Sequence, residues 1–238
     1  MSDTPSYEVT GRGPVLLLVP GGAGHPMGLG PLTDRLAARF TVVTYDPLGL
    51  AHGRLGEPVA EQRVADWSEG ARRVLEEVLP AGDTAYACGT SSGGIAVLDL
   101  LARYPQRLAH VVAHEPPCVT VLPDGAARRA ELIGRLDTEP RPAAEGGSAT
   151  PMGVFLGRVL RPFTRYAPAV PPFPGRLTVA AGTDSRGQLL HRTAEAVAGR
   201  LGCAFTEFPG GHLGALDHPA HFADLLTETL RPSARTQS

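Results

Sequence analysis

The sequence predicts an α/β fold, a mostly parallel central β-sheet flanked by helices, on three observations. Six short runs of aliphatic and β-branched residues recur along the chain, and the longer stretches between them keep a helical period. The chain has 238 residues and is 42% hydrophobic, enough to bury roughly 70% of the unfolded surface without metal or disulfide staples. An α/β chain of this length commonly forms one unit, so 1–238 is read as a single domain.

The elements follow in order. Tyr7 and Val9 suggest an edge strand, and Gly11-Arg-Gly13 turns it into the first central strand, Val15-Leu-Leu-Leu-Val19. The other runs are 40–45, 84–88, 108–113, 177–181 and 203–208. Between them Val64, Trp67, Ala71, Val74 and Val78 recur at three- and four-residue steps, so one helical face there packs on the sheet. Helices also fit 29–39, 93–103, 188–201 and 219–230.

This alternation stops over 117–174, where Pro, Gly and Ala crowd together. We read that stretch as a cap insertion. Its segment 137–151 cannot bury much apolar surface and is expected to be a loop. Met152, Phe155, Leu156, Val159 and Leu160 then share one helical stripe that Pro162 ends. The stripe either roofs a site or packs as an ordinary helix on the main domain. Arg158, Arg161 and Arg165 recur near it and read first as a solvated face, with contact to an anionic substrate as the alternative.

Charge and cysteine usage exclude several functions. The net charge of −2 gives no basic patch for nucleic acid. All 22 basic residues are Arg, which removes Schiff-base chemistry and a Walker-type phosphate loop. Cys88, Cys118 and Cys203 are odd in number, lack CxxC spacing and fit a reduced cytoplasm. No run is long enough to span a bilayer, and the start MSDTPS has no basic or apolar leader, so a cytoplasmic location is expected.

The chemistry is carried by Gly89-Thr-Ser91-Ser-Gly93, which lies between a strand and a helix as the G-x-S-x-G turn requires. Small residues flank Ser91 because a sharp turn leaves no room for larger ones, and that turn holds the hydroxyl above the sheet. A serine nucleophile needs a histidine to take its proton and a carboxylate to fix the histidine's tautomer. Of eight histidines, His212 in Phe208-Pro-Gly-Gly-His212 follows the last strand and is the candidate base. His218 and His221 read as the start of a surface helix and His110 as a strand residue, while His25 and His114 lie near strand ends where a pocket would be lined.

In these motifs and their order the chain resembles the α/β-hydrolase fold family, and His114-Glu-Pro-Pro117 resembles a group of bacterial hydrolases within it. The resemblance implies an oxyanion hole from the N–H of Ser92 and of Gly22, in Pro20-Gly-Gly22 where many relatives have His-Gly. It also aligns Asp46-Pro-Leu-Gly49 with the family's Asp-x-Arg-Gly turn, with Leu48 in place of the arginine. Relatives usually carry the acid three residues after the glycine that ends the penultimate strand. Here that position is Ser185, so Asp184 is the first choice of acid and Glu115, after the earlier strand, the alternative. A turn residue at Asp184, a cap-entrance residue at Glu115, or a dyad without an acid are the competing assignments.

The expected function is therefore cleavage of a small to medium ester or thioester through an acyl-enzyme on Ser91, with a small-molecule substrate and no cofactor, metal, nucleic acid or membrane partner. A non-hydrolytic lyase or cyclase using the same pocket is the alternative, followed by a noncatalytic binder of a hydrophobic ligand. Whether the chain forms a homo-oligomer is left open.

Overall fold

The computed structural model describes residues 5–22, 28–138 and 150–231. Among these residues seven strands form one sheet: β1 (Ser6–Thr10), β2 (Val15–Val19), β3 (Thr41–Asp46), β4 (Ala85–Thr90), β5 (Leu108–His114), β6 (Leu177–Gly182) and β7 (Ala204–Phe208). Their spatial order is β1-β3-β2-β4-β5-β6-β7. Only β1 runs antiparallel, pairing Tyr7 with Tyr45 of β3. The other pairs are parallel, including Leu17 with Ala87 and Ala113 with Val179. All six predicted runs and the predicted edge strand therefore lie in the sheet.

The helices are α1 (Gly30–Ala37), α2 (Val64–Val78), α3 (Ser92–Arg103), α4 (Gly125–Thr138), α5 (Pro151–Val154), α6 (Leu160–Phe163), α7 (Leu189–Leu201), α8 (Gly214–Asp217) and α9 (Pro219–Leu230). Strand residues alternate between two apolar layers, which explains the uninterrupted aliphatic runs of the central strands. Leu16 and Leu18 join Leu32 and Leu36 of α1 and Phe222 and Leu226 of α9 on one face. Leu17 and Val19 join Trp67 of α2, Ile95 of α3 and Val197 of α7 on the other. Cys88 lies within the first layer, where burial pushes its thiol up to about 12, so it behaves as a small core residue.

The stretch 117–174 contains more helix than its composition suggests. Helix α4 is an element to which the sequence reading assigns no secondary structure. Its sequence GAARRAELIGRLDT is rich in the strong helix formers Ala, Arg, Glu and Leu, but shows too weak an apolar stripe to be read from periodicity. The expected loop 137–151 overlaps the last turn of α4, and most of it lies outside the described residues. Thr150 caps α5 by accepting the Gly153 N–H at 3.1 Å. The Met152 stripe is helical, and it continues past Pro162 to Phe163 because Pro162 sits in the first turn of α6, where no intrahelical N–H is needed. Phe163 packs edge-on against Trp67 of α2 at 4.8 Å, and Tyr166 donates to Asp99 of α3 at 3.2 Å. These contacts seat the C-terminal half of the stretch on the domain.

Gly199 offers a simple test of the helix assignment. It sits exposed in α7, and a β-carbon there would meet nothing within 4 Å. Gly199→Ala is expected to stabilise the protein by about 0.5–1 kcal/mol through lower unfolded-state entropy. Urea titration at neutral pH checks this.

Candidate active site

Strand β4 ends at Thr90 and α3 begins at Ser92, so Ser91 occupies the whole turn between them, at φ 51° and ψ −122°. Among the described residues Ser91 and Glu115, at φ 43°, are the two non-glycine residues with positive φ. Such backbone costs about 1–3 kcal/mol per residue and persists only where its surroundings enforce it. Those surroundings are visible around Ser91. Its N–H donates to the His114 carbonyl at 2.9 Å. A β-carbon on Gly93 would fall 1.8 Å from the Val19 carbonyl oxygen, and one on Gly89 would fall 2.2 Å from that of Gly93. The glycines of the motif are thus required by close backbone approach.

The loop after β2 lies against the same turn. A β-carbon on Gly21 would meet Ser91 Cβ at 2.6 Å, and the Gly21 N–H donates to Thr90 Oγ1 at 3.1 Å. Gly22, at φ 59°, follows on the cavity wall. Ser92 is buried and opens α3, where the first N–H groups of a helix have no intrahelical acceptor. Ser92 thus follows Ser91 directly, and Gly22 lies on the wall of the cavity that Ser91 shares. His25 lies outside the described residues.

The structure places the alternative acid Glu115, and not the preferred Asp184, against His212. His212 Nδ1 lies 2.8 Å from Glu115 Oε2, whereas Asp184 is exposed and lines no part of the cavity that holds Ser91 and His212. Asp184 belongs to a single turn, Thr183–Ser185, its backbone N–H donates to Gly210 at 2.9 Å, and its carboxylate accepts from Thr183. Glu115 follows β5 directly and its side chain is completely buried. Its other oxygen, Oε1, accepts the Gly182 N–H at 3.0 Å and the Ser185 hydroxyl. Burial alone pushes the Glu115 carboxyl up, but the hydrogen bonds from His212, Ser185 and Gly182 outweigh it and hold the group at about 2. An ionised carboxylate only accepts, so His212 carries its proton on Nδ1 and leaves Nε2 as the basic nitrogen.

Three supporting residues receive no role from the sequence reading. Gly182 ends β6, and a β-carbon there would fall 2.3 Å from the Gly210 oxygen and 2.7 Å from Gly211 Cα. That close approach seats the loop before His212 over Glu115. Thr90 holds the loop after β2, and Ser185 donates to Glu115. The remaining histidines fall elsewhere: His110 bonds Thr178 at 2.9 Å within the sheet, and His218 precedes α9. His114 is buried against Phe208 and Phe222 behind the site.

Ser91, Glu115 and His212 share the wall of a cavity of about 430 Å³. Its other walls are mostly apolar, with Leu29, Leu132, Met152, Phe155, Leu160, Leu189 and Leu213 among them. The Met152 stripe divides: Met152, Phe155 and Leu160 face this cavity, while Val159 joins the core. Arg158, Arg161 and Arg165 line no part of it, and among the described residues Glu115 and His212 are its only charged or titratable walls besides the hydroxyls. Among the described residues no cluster of His, Cys, Asp and Glu is arranged to hold a metal, and no helix is long and apolar enough to cross a membrane.

Comparison with known proteins agrees with this architecture. No family model matches the chain. It is 29% identical to the uncharacterized hydrolase YraK of Bacillus subtilis, over 94% of this chain and 91% of that protein. Among solved structures it is similar to Est816, described as an N-acyl homoserine lactone degrading enzyme, with a TM-score of 0.67, 18% identity and coverage of 96% and 98% of the two chains. The enol-lactonase of Burkholderia xenovorans superposes with a TM-score of 0.63 at 18% identity, covering 95% and 96%. The seven-stranded sheet, its flanking helices and these neighbours together show that the chain has the α/β-hydrolase fold.

Proposed function

We propose that this protein is a serine hydrolase that cleaves uncharged carboxylic esters or thioesters of small to medium acids through an acyl-enzyme on Ser91. The observation that carries this reading is the pairing of half-buried His212 with buried Glu115, 2.8 Å apart, on the same cavity wall as the strained Ser91. Ser91 Oγ attacks the acyl carbonyl while His212 Nε2 takes its proton, and Glu115 stabilises the imidazolium that forms. The N–H groups of Gly22 and Ser92 receive the oxyanion, the latter at the positive end of α3. His212 then returns the proton to the departing alcohol or thiol. Water, deprotonated by the same nitrogen, releases the acid.

Apart from Glu115 and His212 the described walls carry no charge, which favours a neutral acyl group, because burying an unpaired charge there costs several kcal/mol. Lactones are internal esters, and two structural neighbours are named for lactone chemistry, which supports an ester-type substrate. The stretch 117–174 acts in this reading as the cap that supplies the roof.

Intact-mass labelling with a fluorophosphonate tests the nucleophile without a known substrate. The wild type is expected to gain one adduct, and Ser91→Ala and His212→Ala to gain none. A folded wild type that stays unlabelled and turns over no p-nitrophenyl ester would overturn the acyl-enzyme in favour of lyase or cyclase chemistry.

A further inference from the structure

We infer that Ser185 is a positioning residue of this site: its hydroxyl fixes one oxygen of Glu115 so that the other meets His212. The inference rests on the hydrolase reading for its consequence in turnover, but its geometry stands independently. Glutamate reaches His212 through three side-chain torsions, and the last of them is free to turn unless both carboxylate oxygens are held. Oε1 receives two donors from one segment, the Gly182 N–H at 3.0 Å and the Ser185 hydroxyl. Oε2 is thereby turned to His212 Nδ1 at 2.8 Å.

Ser185 Oγ also lies 2.8 Å from the Gly182 carbonyl. With one proton to give, it donates to the ionised carboxylate, because a charge-assisted hydrogen bond is the stronger. Ser185 is 3% exposed and Glu115 is 0% exposed, so water does not readily replace that hydroxyl. The turn Thr183–Ser185 is itself tied to the histidine loop by the Asp184 N–H and the Gly210 carbonyl at 2.9 Å. One short turn thus touches the acid with its last residue and the loop carrying the base with its middle one.

The test uses Ser185→Ala and Ser185→Thr, each alone and combined with Glu115→Gln. Readouts are kcat and KM on p-nitrophenyl butyrate, Tm, and the downfield proton resonance of the His212 Nδ1–H. Ser185→Ala is expected to lower kcat about tenfold, the equivalent of one hydrogen bond to a charged group, at unchanged KM. The Nδ1–H resonance is expected to move or broaden. Ser185→Thr restores most of kcat by restoring the hydroxyl, and Ser185→Ala costs nothing further in the Glu115→Gln background, since it acts through Glu115. An unchanged kcat and resonance in Ser185→Ala, or an equal loss in both backgrounds, overturns the inference. If the wild type turns over no ester, the hydrolase reading fails while the resonance still decides whether Ser185 orients the pair.

Discussion

Glutamine in place of Glu115 is expected to lower kcat/KM on an ester by about 10³–10⁴-fold, the scale seen when a triad histidine is held in the wrong tautomer. Asparagine in place of Asp184 is expected to leave kcat/KM close to the wild-type value. The hydrogen bonds around Glu115 make the first outcome specific. Gly182 N–H and the Ser185 hydroxyl both donate toward Oε1, so in Glu115→Gln the amide oxygen is drawn to that side and the NH₂ faces His212. His212 must then accept through Nδ1 and carry its proton on Nε2, where it no longer takes the proton of Ser91. Asp184 is exposed, with its carboxylate held by Thr183, so its charge is screened by solvent and touches neither partner. Steady-state kinetics on both purified variants, with Tm as the control for folding, distinguish the two acids. A large loss in Asp184→Asn with little loss in Glu115→Gln would reverse the assignment.

The contrast between these two carboxylates shows where sequence stops being informative. The strands are legible because the central ones are largely buried on both faces and read as short runs of aliphatic and β-branched residues. Ser91 is legible because the turn that exposes it excludes side chains at Gly89 and Gly93, which leaves a local signature. His212 follows from its place after the last strand. The choice of acid depends on which of two loop ends projects a carboxylate onto His212, and that is set by contacts distant in sequence: Gly182 against Gly210, and Ser185 against Glu115. Asp184 satisfies the local criterion, an acid two residues after the glycine that ends β6, yet its neighbour Ser185 is the residue turned inward. Helix α4 escapes for another reason, since its stripe at Ala126, Ala130 and Ile133 is carried mostly by small side chains inside a segment rich in Arg and Gly.

Acid is expected to destabilise the fold through His114. This residue is fully buried, it packs on the rings of Phe208 and Phe222 at 6.0 and 5.3 Å, and neither ring nitrogen has a hydrogen-bond partner among the described residues. Burial holds its pKa at about 4, an effect that nearby His212 reinforces and Glu115 partly opposes. The unfolded chain protonates at the ordinary value near 6.5. Between those two values the unfolded state binds the extra proton, so stability falls as pH falls from about 6.5 to about 4, by about 3 kcal/mol in all. His114→Leu removes the titrating group and two unpaired nitrogens while keeping an apolar filler, and is expected to flatten this interval in urea titrations at pH 7, 5.5 and 4.5. His110, also lowered by burial, accounts for the slope that remains. At still lower pH Glu115 adds a loss of its own, since its depressed pKa contributes stability above about 4.5 that disappears as pH falls toward 2, and Glu69 and Glu207, held equally low, share that range. A His114→Leu protein with the full wild-type slope would show that burial of this ring is not the source. The consequence for the site is direct, because the His114 carbonyl accepts the Ser91 N–H and Glu115 is the next residue in the chain. Charging His114 therefore loosens the nucleophile turn and the acid together, and the wild type is expected to unfold in acid at a higher pH than His114→Leu, as followed by far-UV circular dichroism.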